Sequence, residues 1–228
     1  MTTLARRRLD VARPLHRTRL AIVLAAMAGA LLATSADAAD LAVGAEGGYF
    51  AMTNAQNSAK AIFDGSTGGG TFGGFLHVGL GERFFVEAHG RRFQKTGDRV
   101  FVADATSPVF HLGHPLTVRT VPFYGMVGYK FLHGSRWAPY VALGIGSTQY
   151  RETSDVAGLV ETSSTSKASG LIALGVDFLT GPVRLGAEVS YSTVPNAIGD
   201  SGVSKVYGEN NVGGISIVGR LSFGTSAP

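Results

Sequence analysis

Histidine and serine residues that lie close together in the sequence are the first candidates for catalysis. His133 and Ser135 are two residues apart, and Ser107 precedes His111 and His114 by a few residues. A hydroxyl group beside an imidazole can act as a nucleophile with its general base when a carboxylate orients the imidazole. His111 and His114 could also bind a metal, but this spacing in a loop is a weak signal and no further ligand is evident nearby. We therefore predict no catalytic residue, no metal site and no cofactor.

Charged residues at alternating positions form the second candidate site. From Val183 to Tyr191 the odd positions are apolar or aromatic, whereas Arg184 and Glu188 occupy even positions. Comparable segments place acids, bases and histidines on their polar side: Glu46, Glu87, Asp177, Glu188, Arg91, Lys130, Arg184, Arg220, His77 and His89. Because an unpaired buried charge is costly, the equal numbers of acids and bases predict a closed interior in which the charges are paired. His77 and His89 could bind a metal, but hydrogen bonds to Glu87 or Glu46 are the favoured interpretation.

The same alternation identifies the elements that must position these residues. A period of two over eight to fifteen residues indicates β-strands with one apolar and one polar face. The predicted strands cover residues 40–51, 70–80, 83–94, 117–131, 137–151, 166–179, 183–192 and 211–224. Each has about the 9–11 residues with which a tilted strand crosses a bilayer.

The connections between these strands alternate in length. Short turns are predicted around residues 81–82, 133–135 and 180–182, and long polar segments at 52–69, 95–116, 152–165 and 193–210. This alternation of short and long connections is typical of outer-membrane barrels, which have short periplasmic turns and longer extracellular loops. A soluble barrel or β-sandwich would place its apolar side chains inside, so the balanced charges argue against it. We predict an all-β fold, an eight-stranded antiparallel transmembrane up-and-down β-barrel.

Aromatic residues on the apolar faces fall near both ends of the predicted strands. Membrane barrels carry such residues in two girdles, one at each interface with water. The predicted girdle residues toward the short turns are Phe84, Tyr129, Phe131, Trp137, Phe178 and Phe223, and those toward the loops are Tyr49, Phe72, Phe123 and Tyr191.

The N-terminal segment has the three parts of a secretory signal. Six arginines precede the apolar run 20–32, which at 13 residues is shorter than a membrane-spanning helix, so an anchored helix is the less favoured alternative. Ala36-Asp37-Ala38 provides small residues for cleavage before Ala39. We predict a signal peptide at 1–38 and a barrel domain at 39–228.

Composition excludes several classes of protein. The chain has a net charge of +4 but no cysteine, so disulfide scaffolds, zinc fingers and thiol enzymes are excluded. Removal of residues 1–38 would leave 14 bases and 14 acids, so the mature chain is neutral and nucleic-acid binding is not expected.

Three segments resemble small outer-membrane barrels of the porin-like and opacity type, the outer membrane protein A/X-like class. They are 137–146 (WAPYVALGIG), 121–131 (VPFYGMVGYKF) and the C-terminal strand with Ile215, Ile217, Gly219, Leu221 and Phe223. The resemblance implies a location in the outer membrane. It also implies that Ile215, Ile217, Leu221 and Phe223 form the signal read by the barrel-assembly machinery.

An eight-stranded barrel is too narrow for a general diffusion porin. We therefore expect a structural or adhesion-like protein with a charge-paired, closed lumen and loops that bind a surface ligand. The expected partners are outer-membrane lipid and lipopolysaccharide, and the protein is expected to be a monomer. The alternatives are a narrow channel for ions or small solutes and a lipid A-modifying acyl hydrolase or acyltransferase, an enzyme class whose His-x-Ser pattern the stretch His133-Gly134-Ser135 resembles.

Overall fold

The alternating segments form the strands of a closed barrel. The computed structural model describes residues 40–132, 134–156 and 158–225. Within them, each strand pairs antiparallel with its neighbours in sequence, and β8 pairs with β1. The strands are β1 (Leu41–Ala51), β2 (Gly68–Leu80), β3 (Phe84–Phe101), β4 (Phe110–Lys130), β5 (Trp137–Val156), β6 (Leu159–Thr180), β7 (Val183–Thr193) and β8 (Ile215–Gly224). The predicted eight-stranded antiparallel barrel is confirmed.

The barrel has its polar side chains inside and its apolar side chains outside. On β7, Arg184 and Glu188 are buried in the lumen, whereas Leu185 and Val189 are half exposed on the outer surface. Because successive side chains point to opposite faces of a strand, the alternation in sequence becomes this separation in space. An apolar outer face is what a barrel in a lipid bilayer requires.

The four central strands are longer than predicted. Most of the predicted loop 95–116 is strand, because β3 continues to Phe101 and β4 begins at Phe110. The predicted loop 152–165 is likewise the end of β5 and the start of β6, which turn around residue 158. Beyond the membrane the outer face of a hairpin meets water and not lipid, so the Ser- and Thr-rich β5–β6 extension pairs without apolar alternation.

The other two extracellular connections contain short helices. The connection from β1 to β2 forms a 3-10 turn (Thr53–Ala55) and α1 (Gln56–Ile62), and the connection from β7 to β8 forms α2 (Gly202–Val206). α1 buries Ser58, Ala59 and Ile62 on one side, at the spacing of a helical face. No helix among the described residues is long and apolar enough to cross a membrane.

Glycines on the inner face make room for large side chains in the lumen. Gly73, Gly175 and Gly186 are the direct cross-strand partners of Arg91, Glu188 and Arg220. A Cβ atom on Gly175 would overlap the ring of Tyr140. In a barrel of eight strands the interior is just wide enough to be filled by side chains, so these positions must stay small.

Candidate functional site

The middle of the lumen contains charged side chains in contact with one another. Arg91 on β3 is bidentate to Glu46 on β1, and its Nη2 also lies 2.5 Å from Oε1 of Glu188 on β7. The Nη1 group of Arg91 donates to Ser190 at 2.9 Å. One guanidinium therefore joins three strands across the interior.

A second arginine continues these contacts toward the periplasmic end. Arg220 on β8 donates to Glu87 at 2.6 Å and to Glu188 at 2.9 Å. The hydroxyl of Tyr140 donates to Glu188 at 2.8 Å, and the guanidinium carbon of Arg220 lies 4.0 Å from the centre of the Phe75 ring. Glu188 thus accepts from both arginines.

The chain of contacts ends at the periplasmic mouth. His77 and Glu87 are direct cross-strand partners, and Nδ1 of His77 lies 3.4 Å from Glu87. Asp40, just before β1, lies 3.8 Å from Nε2 of His77 and 3.1 Å from Nζ of Lys130. Asp40 also pairs with Arg184 on β7.

The structure brings together most of the ten residues of the predicted charged group, with one exchange of carboxylates. Asp177 lies on the inner face of β6, but no hydrogen bond or ion pair joins its side chain to the described part of the chain. Asp40 is the carboxylate that sequence reasoning missed, although its even number on β1 matches the inward positions Ala42 and Glu46. Tyr140, which is buried on the inner face of β5, was also absent from the predicted group. We call the connected set the lumen network: Asp40, Glu46, His77, Glu87, His89, Arg91, Lys130, Tyr140, Arg184, Glu188 and Arg220.

Burial removes most charged groups of the lumen network from water. The side chains of Glu46, Glu87 and Glu188 have no exposed surface, and those of Arg91 and Arg220 are 5% and 3% exposed. Removing charges from water is compensated only when each finds an opposite charge and hydrogen bonds. His89, 3.8 Å from Glu87, adds no hydrogen bond from either ring nitrogen within the described structure. The arrangement can hold charges in place.

Beside the charges lies a cluster of apolar and aromatic side chains. Phe85, Tyr124, Met126, Tyr140 and Leu171 are buried together on the inner faces of β3 to β6. The ring of Phe85 stacks on His77 at 4.7 Å and meets Tyr140 edge-on at 5.5 Å. The prediction of a polar inner face was therefore incomplete, since aromatic side chains fill the width that the charges leave.

An apolar cluster lies above the network toward the extracellular end. Residues of α1 and of the β7–β8 connection pack on inward-facing side chains of four strands. We call this cluster the apolar cap: Phe50, Met52, Ala55, Ala59, Ile62, Phe63, Phe93, Val118, Tyr150, Val194, Ala197 and Val212. A cavity of about 30 Å³ lies between the cap and the charged side chains, next to Arg91 and Tyr124. Water fills such a volume with about one or two molecules.

The apolar cap is held by a carboxylate from the opposite connection. Both oxygens of Glu209 accept backbone N–H bonds at the start of α1, from Asn57 and Ser58, each at 2.9 Å. The Ser58 hydroxyl donates to the same carboxylate at 2.6 Å. A carboxylate at a helix N-terminus satisfies free N–H groups and interacts favourably with the helix dipole. Glu209 therefore ties the β1–β2 connection to the β7–β8 connection.

A cavity of about 440 Å³ opens outside the cap, between the helices and the two long hairpins. Its lining is apolar on the side of α1 and α2, with Ile62, Phe63 and Val203, and polar on the side of the β5–β6 hairpin. At its edge Arg99 pairs with Glu161 at 2.7 Å.

The candidate catalytic residues Ser107 and His111 do not hydrogen-bond to each other. His111 pairs with Asp98 at 3.2 Å, but the hydroxyl of Ser107 donates to Asp104, so serine and histidine form no couple. Hydrogen bonds from Ser107 and Thr106 lower the pKa of Asp104 to about 2. His133 lies outside the described residues. Within 40–132, 134–156 and 158–225, no three His, Asp or Glu side chains form a group that could hold a metal ion.

The predicted girdle residues all stand on outward positions. Phe84 and Tyr129 are cross-strand partners with ring centres 5.2 Å apart, and Trp137 contacts Phe178 at 5.0 Å, both near the short turns. Toward the loops, Phe72, Phe123 and Tyr191 are between 44% and 63% exposed. Ile215, Ile217, Leu221 and Phe223 also point outward on β8, whose pairing with β1 closes the barrel. Their role in assembly stays a prediction, and the signal cleavage at Ala36, Ala38 and Ala39 falls outside the described residues.

Comparison with known proteins gives one family match. The model of the outer membrane protein beta-barrel domain matches residues 21–214. No curated protein matches the chain.

Several solved barrels are similar in structure and distant in sequence. Neisserial surface protein A is 14% identical with a TM-score of 0.48, over 81% of this chain and 95% of that one. A major outer membrane protein from Thermus thermophilus is 14% identical with a TM-score of 0.49, over 82% and 100%. Ail of Yersinia pestis, solved with the heparin analogue sucrose octasulfate, is 11% identical with a TM-score of 0.45, over 81% and 97%.

Proposed function

The chain belongs to the outer membrane protein beta-barrel domain family, and on that premise we propose that it is a non-conducting outer-membrane protein that acts through its extracellular surface in a structural or adhesion-like role. The observation that carries the proposal is the contrast between a lumen closed at two levels and hairpins that extend apolar side chains into the medium.

Closure of the lumen supports the non-conducting half of the proposal. An ion crossing the barrel would have to displace Arg91 or Arg220, each of which contacts two carboxylates in the interior. It would then have to pass the apolar cap, whose packed side chains are almost all apolar and offer little to replace its hydration shell. Desolvation of an ion costs several kcal/mol or more, so the two barriers together exclude steady conduction.

The hairpin tips support the interaction half of the proposal. β3 to β6 have 18 to 22 residues each, about twice the length that crosses a bilayer. At their ends Phe101 and Phe110 are cross-strand partners and are 57% and 55% exposed, and Leu159 is 74% exposed. Exposed apolar side chains beyond the membrane are a feature of surfaces that contact a partner. Val102, at 4% exposure, packs within the loop, whereas the two phenylalanines do not.

Conductance in a planar bilayer tests the first half. We expect the wild-type protein, inserted from detergent, to give no steady current above that of the bare bilayer. A reproducible open level in the wild type would overturn the proposal and favour the narrow channel instead.

Retention of cells on serum-coated wells tests the second half. Cells that display the protein should be retained more than cells without it, and F101S combined with F110S should remove the difference. The matched control is F131S, which changes a phenylalanine of similar exposure at the periplasmic end. Retention that is equal with and without the protein, or unaffected by the paired tip substitutions, would contradict the proposed surface role.

A further inference from the structure

Two arginines face each other on the outside of the barrel. Arg119 on β4 and Arg151 on β5 are direct cross-strand partners. Their neighbours Val118 and Tyr150 are buried inside, so alternation along each strand places both arginines on the outer surface. Like charges at directly opposed positions destabilise a sheet. The barrel fold itself does not require two arginines at these opposed positions.

No carboxylate in the described structure neutralises these arginines. The outward acids along the adjoining strand ends, Asp98 and Asp155, are bonded elsewhere, to His111 and to the backbone N–H of Gly158. The Nε atom of Arg119 is buried without a hydrogen-bond acceptor. By contrast, Arg91 and Arg220 in the lumen each bind two carboxylates. The outer pair therefore retains its capacity to bind an anion.

A third arginine extends the cluster. Arg92 on β3 faces outward between the inward Arg91 and Phe93, two residues from Gln94, which is the cross-strand partner of Arg119. Diagonal neighbours of this kind have Cα atoms about 7–8 Å apart, within reach of long side chains. Within the described chain, the guanidinium of Arg92 hydrogen-bonds only to Gln94, at 2.6 Å.

The cluster lies at the outer edge of the membrane. Arg119 is ten residues along β4 from Tyr129 of the inner girdle. At about 3.3 Å per residue and a tilt of about 40°, this corresponds to about 25 Å along the membrane normal, the height of the apolar band in such barrels. The guanidinium groups are then level with the headgroups of the outer leaflet.

An apolar groove lies on the same outer surface, deeper in the membrane. Its volume is about 370 Å³, and outward glycines at 125 and 170 leave it open between Val127, Leu143 and Ile145. Ile145 is six residues below Arg151 on β5, which is about 15 Å along the normal and equals half the hydrocarbon thickness. An acyl chain below a headgroup bound at the arginines would run toward this groove.

We propose that Arg92, Arg119 and Arg151 bind the phosphate of a lipid A molecule in the outer leaflet, with an acyl chain of the same molecule in the groove at Gly125 and Gly170. Guanidinium groups bind phosphate through paired, charge-assisted hydrogen bonds. A bound phosphate removes the repulsion between Arg119 and Arg151, so lipid A stabilises the barrel.

Thermal unfolding in neutral phosphatidylcholine nanodiscs tests the site. We expect bisphosphorylated lipid A to raise the wild-type Tm and dephosphorylated lipid A to raise it much less. In R119Q combined with R151Q, the apparent affinity for bisphosphorylated lipid A should fall about tenfold. R136Q, an exposed arginine at a periplasmic turn, is the control for net charge and should bind as the wild type does.

Three outcomes would overturn the proposal. The first is an equal Tm increase in the wild type and the double variant, and the second is an equal increase with dephosphorylated lipid A. The third is an increase of the same size from inorganic phosphate alone, which would indicate a site for free phosphate. Misfolding is separable from lost binding, because without lipid A the double variant should unfold at or above the wild-type temperature. A lower Tm there would mean that the arginines stabilise the barrel themselves, which also contradicts the proposal.

Discussion

The middle of the lumen and its extracellular mouth are closed by opposite chemistries. In the middle, Arg91, Arg220 and Glu188 fill the cross-section with charges that neutralise one another. At the mouth, Ile62 and Phe63 close it with apolar surface carried by a short helix and its flanking residue. The first barrier is built from strands and the second from the connections between them, so the two should respond differently to mutation.

The difference lies in what holds each barrier in place. Glu46 and Arg220 are direct partners where β8 meets β1, and His77 and Glu87 are direct partners on β2 and β3. These side chains cannot separate unless the barrel itself opens. α1 is held by apolar packing and by Glu209, and can detach while the strands stay paired. Local opening of this kind requires less free energy than global unfolding.

Substitution of Glu188 should give the largest effect. E188Q removes the carboxylate that both Arg91 and Arg220 contact; Arg91 keeps Glu46 and Arg220 keeps Glu87, but the buried network is left with one positive charge in excess. Loss of one partner of a buried pair costs about 3–5 kcal/mol. We expect a loss of this size in the global free energy of unfolding, measured by urea titration in lipid vesicles. E161Q is the matched control, because Glu161 also pairs with an arginine but at the exposed surface, where such pairs contribute about 1 kcal/mol or less. Equal losses in the two variants would refute a special role for the lumen network.

Truncation in the apolar cap should have a smaller and more local effect. I62A removes a buried side chain of α1, at a cost of about 2–4 kcal/mol to cap packing. Because the strands do not depend on the cap, we expect faster hydrogen exchange and proteolysis within residues 52–67 and little change in global unfolding. Current through a planar bilayer should stay absent, since the lumen network remains closed. L159A, at an exposed tip, should change neither measurement. A global loss as large as that of E188Q would show that the two barriers form one unit.

Adding a methyl group to the lumen should disturb the network through Tyr140. In G175A, the new Cβ would overlap the Tyr140 ring, whose hydroxyl donates to Glu188. Overpacking of this kind costs about 1–3 kcal/mol. The expected result is a lower global free energy of unfolding together with a changed tyrosine fluorescence. G70A faces open space on the outer surface of β2 and should be close to neutral. An unchanged free energy of unfolding in G175A would mean that the lumen can accommodate a further methyl group beside Tyr140.

The two regions also differ in how far the sequence predicts them. Alternation located the strands that cross the membrane, because lipid on one side and a narrow lumen on the other impose a period of two. It placed Arg91, Glu188 and Arg220 on the inner face, but not the contacts between them. Arg91 reaches Glu188 across the barrel from β3 to β7, and such a contact depends on closure of the whole sheet.

The apolar cap at the extracellular mouth was not predicted, and the reason is a different one. Its connections were predicted as polar loops, although Ala55, Ala59 and Ile62 recur at helical spacing. Alanine gives a weak apolar signal, and the helix becomes a cap only because the inward face of Phe93 and Val118 lies opposite. Asp40 could have been found by extending the alternation of β1 by one step. The sequence could not show that Asp40, and not Asp177, joins the lumen network, because both positions face inward.

Removal of the Glu209 carboxylate should give the smallest of these effects and the most local one. E209Q loses the charge at the start of α1 and one of the two oxygens that accept from Asn57 and Ser58. A lost helix cap costs about 1 kcal/mol, so the amides of Asn57 and Ser58 should exchange about five times faster. Strand amides near the lumen network should be unchanged, and E161Q on the neighbouring hairpin should leave α1 unaffected. Faster exchange in β1 or β8 as well would place Glu209 in the framework of the barrel, and would mean that the mouth is held by the same interactions as the middle.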